Sequence, residues 1–121
     1  MDWKREETWS AILNPETTPT IDRVIATDVI YNSSCFDQLA RLMRAIKDRH
    51  ANCLINVVIP QDRDKGSEFV AHMQENGFAN VNYELLDSPI YRAEVASDPE
   101  NDRKFYPGLS TLEYRFYTFE L

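Results

Sequence analysis

The chain has 121 residues, 43% apolar, 27% charged and 12% aromatic, enough for one domain and too few for two ordinary ones. Thirteen Lys and Arg against 20 Asp and Glu leave a formal charge of −7, and the basic residues are scattered, which argues against a general nucleic-acid binder because phosphate contacts need clustered cations. The longest apolar stretch, Leu54 to Ile59, is broken by Asn56 and falls far short of the roughly 20 residues of a membrane span.

Asp2-Trp3 opens a polar stretch, Lys4 to Leu13, in which Trp9, Ile12 and Leu13 share one face, predicting an N-terminal helix. Pro15 and Pro19 enclose a Thr- and Pro-rich loop from Asn14 to Thr20. Arg23 to Asp28 is short and β-branched, and reads as a buried strand ending at a carboxylate. Ser34, three residues before Asp37, resembles a capping box with Asp in place of the usual Glu. Behind it Phe36, Leu39, Leu42, Met43 and Ile46 recur at helical spacing, with Arg41, Arg44, Lys47 and Asp48 facing away.

Cys53 to Ile59 is almost continuously apolar and stops at Pro60, the habit of a central strand in a parallel sheet. Gln61 to Asn76 predicts a helix with Phe69, Val70 and Met73 inward and Gly77 as its C-terminal cap. Val81, Tyr83 and Leu85 alternate with polar residues as a strand, a long acidic loop runs from Asp87 to Gly108, and Leu112 to Leu121 closes the chain as a last strand. Alternating helices and strands imply right-handed crossovers and a parallel α/β sheet. The last two strands have no helix between them and are expected to pair antiparallel across the long connection.

Cys35 and Cys53 are the only cysteines, too few for a disulfide scaffold or a zinc-finger set. With no secretory leader, they are expected to be reduced core thiols in a cytoplasmic protein, or one that is also nuclear. No set of ligands is read around His50 or His72, so no metal is expected. His50, ending a helix, is placed where a cation meets the negative end of the dipole, and His72 is placed at the surface or its boundary.

Asp28-Val29-Ile30-Tyr31, following Val24 to Thr27, resembles the Asp-x-x-Tyr motif of seven-stranded S-adenosylmethionine-dependent methyltransferases. The branch is methyltransferase family 16, which contains many protein-lysine methyltransferases. Asp2-Trp3 is similar to the end of that branch's Leu-Asp-Trp segment. The reversed last strand after a loop carrying Phe105-Tyr106-Pro107 matches its outline. The resemblance spans essentially the whole chain, as a single partial domain over 1–121, and implies the C-terminal half of a Rossmann-like sheet with flanking helices. Its strands would be the fourth to seventh of the family, ordered 4-5-7-6 with the last antiparallel. The departure is the missing Gly-rich loop: of Gly66, Gly77 and Gly108, none forms a Gly-x-Gly.

What the resemblance implies for the site is assigned residue by residue. Asp28 and Tyr31 take the catalytic positions, Asp28 beside a substrate amine and Tyr31 offering its ring and hydroxyl. Trp3, covering the adenine side, and Thr27, where relatives often have Ala, take cofactor positions. Asp2 takes another, or else caps the following helix. Phe105, Tyr106 and Pro107 either line a substrate entry or anchor the loop. The cofactor would be S-adenosyl-L-methionine, bound only when the missing half is supplied. The partners would be a protein substrate and, through the open edge of the Val24 to Thr27 strand, a complementing chain or a second copy.

Two functions of different class follow: a protein-lysine N-methyltransferase when complete, or a non-catalytic relative kept as a protein-binding module. The reversed strand argues against a receiver-type domain, which requires five parallel strands.

Overall fold

In this computed structural model residues 2–60, 65–86 and 113–121 are described. Four strands, β1 (Arg23–Thr27), β2 (Leu54–Pro60), β3 (Asn80–Leu86) and β4 (Tyr114–Glu120), form one sheet ordered β1-β2-β4-β3. β1 and β2 are parallel, with Ala26 opposite Val57. β4 runs antiparallel to both neighbours, Val57 facing Tyr117 and Val81 facing Phe119. The expected order and the reversed last strand are therefore present.

Helices α2 (Phe36–Arg49) and α3 (Gly66–Glu75) cover one face. All five residues of the predicted α2 stripe are buried, and Ala40 joins them. They meet Ile55, Val57 and Ile59 of β2 and Tyr117 and Phe119 of β4 in one core. Its centre is a run of edge-to-face rings: Phe36 on Phe69 at 5.5 Å, Phe69 on Phe119 at 6.0 Å and Phe78 on Phe119 at 6.2 Å. Such contacts contribute about 0.5–1.5 kcal/mol each beyond the area they bury. Among the described residues no helix is long and apolar enough to cross a membrane.

Several local expectations change. The N-terminal helix shrinks to α1 (Ser10–Leu13) behind a 3-10 turn at Glu6–Thr8. Asn14 is extended at ψ 117°, as the residue before a proline is pushed to be. Trp9 is nevertheless buried, with Ile12 and Leu13 packed beside it.

The expected capping box does not form: Asn32, not Ser34, caps a 3-10 turn, Ser33–Cys35, that leads into α2, and Cys35 at the N-cap of α2 makes no side-chain cap bond. Asn32 Oδ1 accepts the Ser34 N–H at 3.1 Å and the Ser34 hydroxyl at 2.8 Å, so that hydroxyl is engaged before it can cap anything. Arg44 and Lys47, expected to face away, are half-buried and donate to the carbonyls of Asn76 (3.1 Å) and Cys53 (2.7 Å). α3 begins at Gly66, with 61–64 of its predicted span outside the described residues. Gly77 ends it at φ 92°, the left-handed cap a glycine allows.

β1 is the edge strand among the described residues, as its expected open edge requires, and Ile25 is 57% exposed, although the segment by itself reads as a buried strand. Alternation puts Val24 and Ala26 toward the helices and Arg23, Ile25 and Thr27 on the opposite face. Leu54 and Asn56 share that opposite face, Leu54 exposed and Asn56 buried. The acidic loop, with Phe105, Tyr106 and Pro107, lies outside the described residues.

Candidate functional site

The parallel pair β1–β2 directs the carboxyl end of β1 to the sheet rim, where open α/β sheets bind ligands. Asp28 follows immediately and adopts φ 53°, the one non-glycine in the left-handed region among the described residues. Aspartate tolerates that conformation better than most side chains. The turn sends Ile30 back into the core at 3% exposure and leaves Thr27, Asp28 and Tyr31 exposed. The predicted rim carboxylate is thus at the surface, at the end of its strand.

The N-terminal segment reaches the same rim by its own anchors. Buried Trp9 donates its indole N–H to the Trp3 carbonyl at 3.1 Å, pinning residue 3 against the body of the fold. Asp2 Oδ1 accepts the Lys4 N–H at 3.0 Å, its carbonyl accepts the Arg5 N–H at 3.0 Å, and its N–H donates to Thr8 Oγ1 at 2.9 Å. Asp2 therefore forms a tight turn and not the helix cap considered for it: the N-cap of the Glu6–Thr8 turn is Arg5, with no side-chain cap bond. Trp3 is half-buried and packs on the core.

Trp3 and Tyr31 then meet around one ammonium. Lys4 Nζ lies 5.2 Å from the Trp3 ring centroid and 5.6 Å from that of Tyr31, and donates to the Tyr31 hydroxyl at 3.4 Å. The hydrogen bond with Tyr31 holds the Lys4 ammonium above the usual lysine range. Lys4 is the site residue that sequence reasoning missed. The signal was its position directly after Trp3, but a single lysine in a polar stretch reads as solvated surface. Trp9 was read only as helix face and serves as the anchor of Trp3.

S-adenosylmethionine would supply an activated methyl group on sulfur. Trp3, Thr27 and Asp28 offer an aromatic face, a hydroxyl and a carboxylate at one rim. The close backbone approach such a ligand needs is absent from the described residues. Gly66 lies buried against Ile59, and a Cβ at Gly77 would meet the Arg44 guanidinium. These residues fit one side of the group and do not make its site.

Other features lie apart from the rim. A cleft of about 640 Å³ between α1 and the outer side of α2 is lined by Trp9, Leu13, Arg41 and Arg44 and by none of the predicted site residues. Its cations are neutralised by Glu6 on Arg41 (2.9 Å) and Asp48 on Arg44 (2.8 Å). His50 follows the last turn of α2, and its Nδ1 accepts the Ile21 N–H at 3.3 Å. His72 is half-buried, edge-on to Phe36. Among the described residues no group of three or more His, Cys, Asp and Glu side chains is placed to hold a metal.

A search of the curated proteins finds no match. Residues 3–76, which run from Trp3 through Thr27, Asp28 and Tyr31 to the end of α3, match the family described as lysine methyltransferase, methyltransferase family 16. The match covers more than half of the chain, and the chain belongs to that family.

Proposed function

We propose that this chain is the substrate side of a protein-lysine N-methyltransferase, a single partial domain that becomes active when a cofactor-binding half completes it. Asp28 holds and orients a lysine amine at the rim and favours positive charge on its nitrogen, which a nearby carboxylate stabilises. Tyr31 adds a ring face and a hydroxyl to the same amine. Trp3 and Thr27 face the cofactor, with Asp2 fixing the turn that presents Trp3. The observation that carries this reading is that Trp3 and Tyr31, far apart in sequence, meet around the Lys4 ammonium, with Asp28 three residues before Tyr31 and directly after β1. The completing half is a complementing chain or a second copy, adding along the edge of β1 and over the face that exposes Ile25 and Leu54.

The test is to titrate the chain, alone and joined to a family cofactor-binding half, with S-adenosylmethionine and to assay methylation of protein lysines. The joined form is expected to bind and to methylate. Asp28→Asn is expected to lower its kcat by about 100-fold or more, the scale of losing one electrostatic group. A joined form that neither binds nor methylates rejects the proposal.

A second reading, a non-catalytic protein-binding module, is favoured by the absence of any Gly-x-Gly in the sequence. It predicts a stable protein complex that is indifferent to Asp28→Asn and to S-adenosylmethionine.

A further inference from the structure

We propose that Arg115, laid against Tyr83 at the sheet rim, is a specificity residue that takes a carboxylate side chain of the protein substrate, about three residues from the target lysine. The lysine and its placement at Asp28 rest on the function proposed above; recognition of the carboxylate requires no methyl transfer.

β4 runs opposite to β2 and β3, so its first residues share a rim with the carboxyl ends of the other three strands. Arg115 is paired in register with Ile59 of β2 and Leu85 of β3. Thr27 is level with Val58, so Asp28, the next residue, is level with Ile59 and with Arg115, two strands away. Two strand spacings make about 10 Å, the span of about three residues of extended chain.

The Arg115 side chain is half-buried, supported and short of acceptors. Its guanidinium lies 4.8 Å from the Tyr83 ring centroid and donates to the Tyr117 hydroxyl at 3.5 Å. Tyr117 is itself buried and stacked on Phe119 at 5.8 Å, which fixes that support in the core. A guanidinium has five N–H donors, and the described residues supply it one acceptor, the Tyr117 oxygen. Its Nε is buried without a partner. Arg41 and Arg44 each meet a carboxylate, whereas Arg115 forms no ion pair among the described residues, Glu113 included. A stacked, planar guanidinium with unused donors matches a carboxylate better than any other protein side chain. The chain carries a net charge of −7, so an acidic substrate segment is disfavoured in general and gains only where a cation meets it.

The experiment uses the full 121-residue chain and blocked nine-residue serine–glycine peptides with a central lysine. An aspartate (acidic probe) or an asparagine (neutral probe) stands three residues to each side of that lysine. Binding is read by fluorescence anisotropy, and circular dichroism checks that each variant is folded. The parent is expected to bind the acidic probe about two- to five-fold more tightly, the scale of a partly exposed ion pair. Arg115→Gln is expected to erase that preference, and Arg41→Gln, which removes a cation far from the rim, to leave it intact. Arg115→Lys keeps a charge without the stacked fork; it is expected to lower the preference, and it decides the matter if Arg115→Gln does not fold. Equal affinity of the parent for the two probes, a preference that survives Arg115→Gln, an equal loss in Arg41→Gln, or no binding of either probe overturns the inference. The joined enzyme separates the two proposals. Methylation of both probes with the same KM refutes the role of Arg115 alone, and an Arg115-dependent preference without methylation refutes the enzyme alone.

Discussion

Asp28 carries two burdens, a left-handed backbone and a rim carboxylate, and substitution separates them. Asparagine tolerates the same backbone, so Asp28→Asn is expected to destabilise less than a β-branched substitution while removing the charge. A β-branched side chain does not, and Asp28→Val is expected to cost about 1–2 kcal/mol. Urea unfolding midpoints check both, and equal midpoints for the two variants would show that the turn is not under conformational constraint. The two thiols also differ by position. Cys53 is fully buried, and burial pushes its thiol up from the ordinary range, whereas Cys35 is half-buried. A thiol raised in this way stays protonated, and so unreactive, to higher pH. Cys35 is expected to react first with an aromatic disulfide reagent in the native protein, with Cys53 following on unfolding. Simultaneous reaction of both under native conditions would contradict the packing.

Among the elements, α2 shows how one helix ties the fold together. Its buried stripe fills the core, Lys47 in its last turn closes onto Cys53 before β2, and Arg44 holds the end of α3. The 3-10 turn that leads into α2 is capped by Asn32, which accepts from both the backbone and the hydroxyl of Ser34. Asn32→Ala is expected to cost about 1 kcal/mol, and Ser34→Ala less, because Ser34 is the donor and not the cap. Thermal or urea unfolding of the pair orders the two, and a larger loss for Ser34→Ala would return the cap to the serine. β1 is the opposite kind of element. Among the described residues it is held by β2 on one side only, and Ile25 on its far face is mostly exposed.

For the whole molecule, that edge is where the proposed completing half would add. An apolar edge strand is a pairing template, and charge on it blocks pairing. Ile25→Lys is expected to leave the unfolding free energy within about 0.5 kcal/mol, since the side chain is already mostly exposed. The same variant is expected to weaken association with a completing half or a second copy, measured by analytical ultracentrifugation. Unchanged association would remove β1 from the interface. Asn56 marks the same uncovered face: it is buried, donates to Thr118 Oγ1 at 3.0 Å, and its Oδ1 has no partner among the described residues.

The amino-acid sequence alone determined the periodic parts: the stripe of α2, the apolar run of β2, the glycine ending α3 and the reversed last strand. These follow from side-chain spacing and local backbone preference, which are written residue by residue. It also supplied the Asp-x-x-Tyr pattern at a strand end, because both residues lie within one short segment. Tertiary structure decided what depends on distant neighbours. Arg44 and Lys47 are half-buried because the end of α3 and the residue before β2 offer them carbonyls, and Asn32 caps because the chain turns before Ser34. Trp3, Lys4 and Tyr31 share one ammonium because Trp9 is buried and draws the N-terminus to the rim. Burial and long-range contact are properties of the packed chain, and no local spacing encodes which surface a tethered lysine will reach.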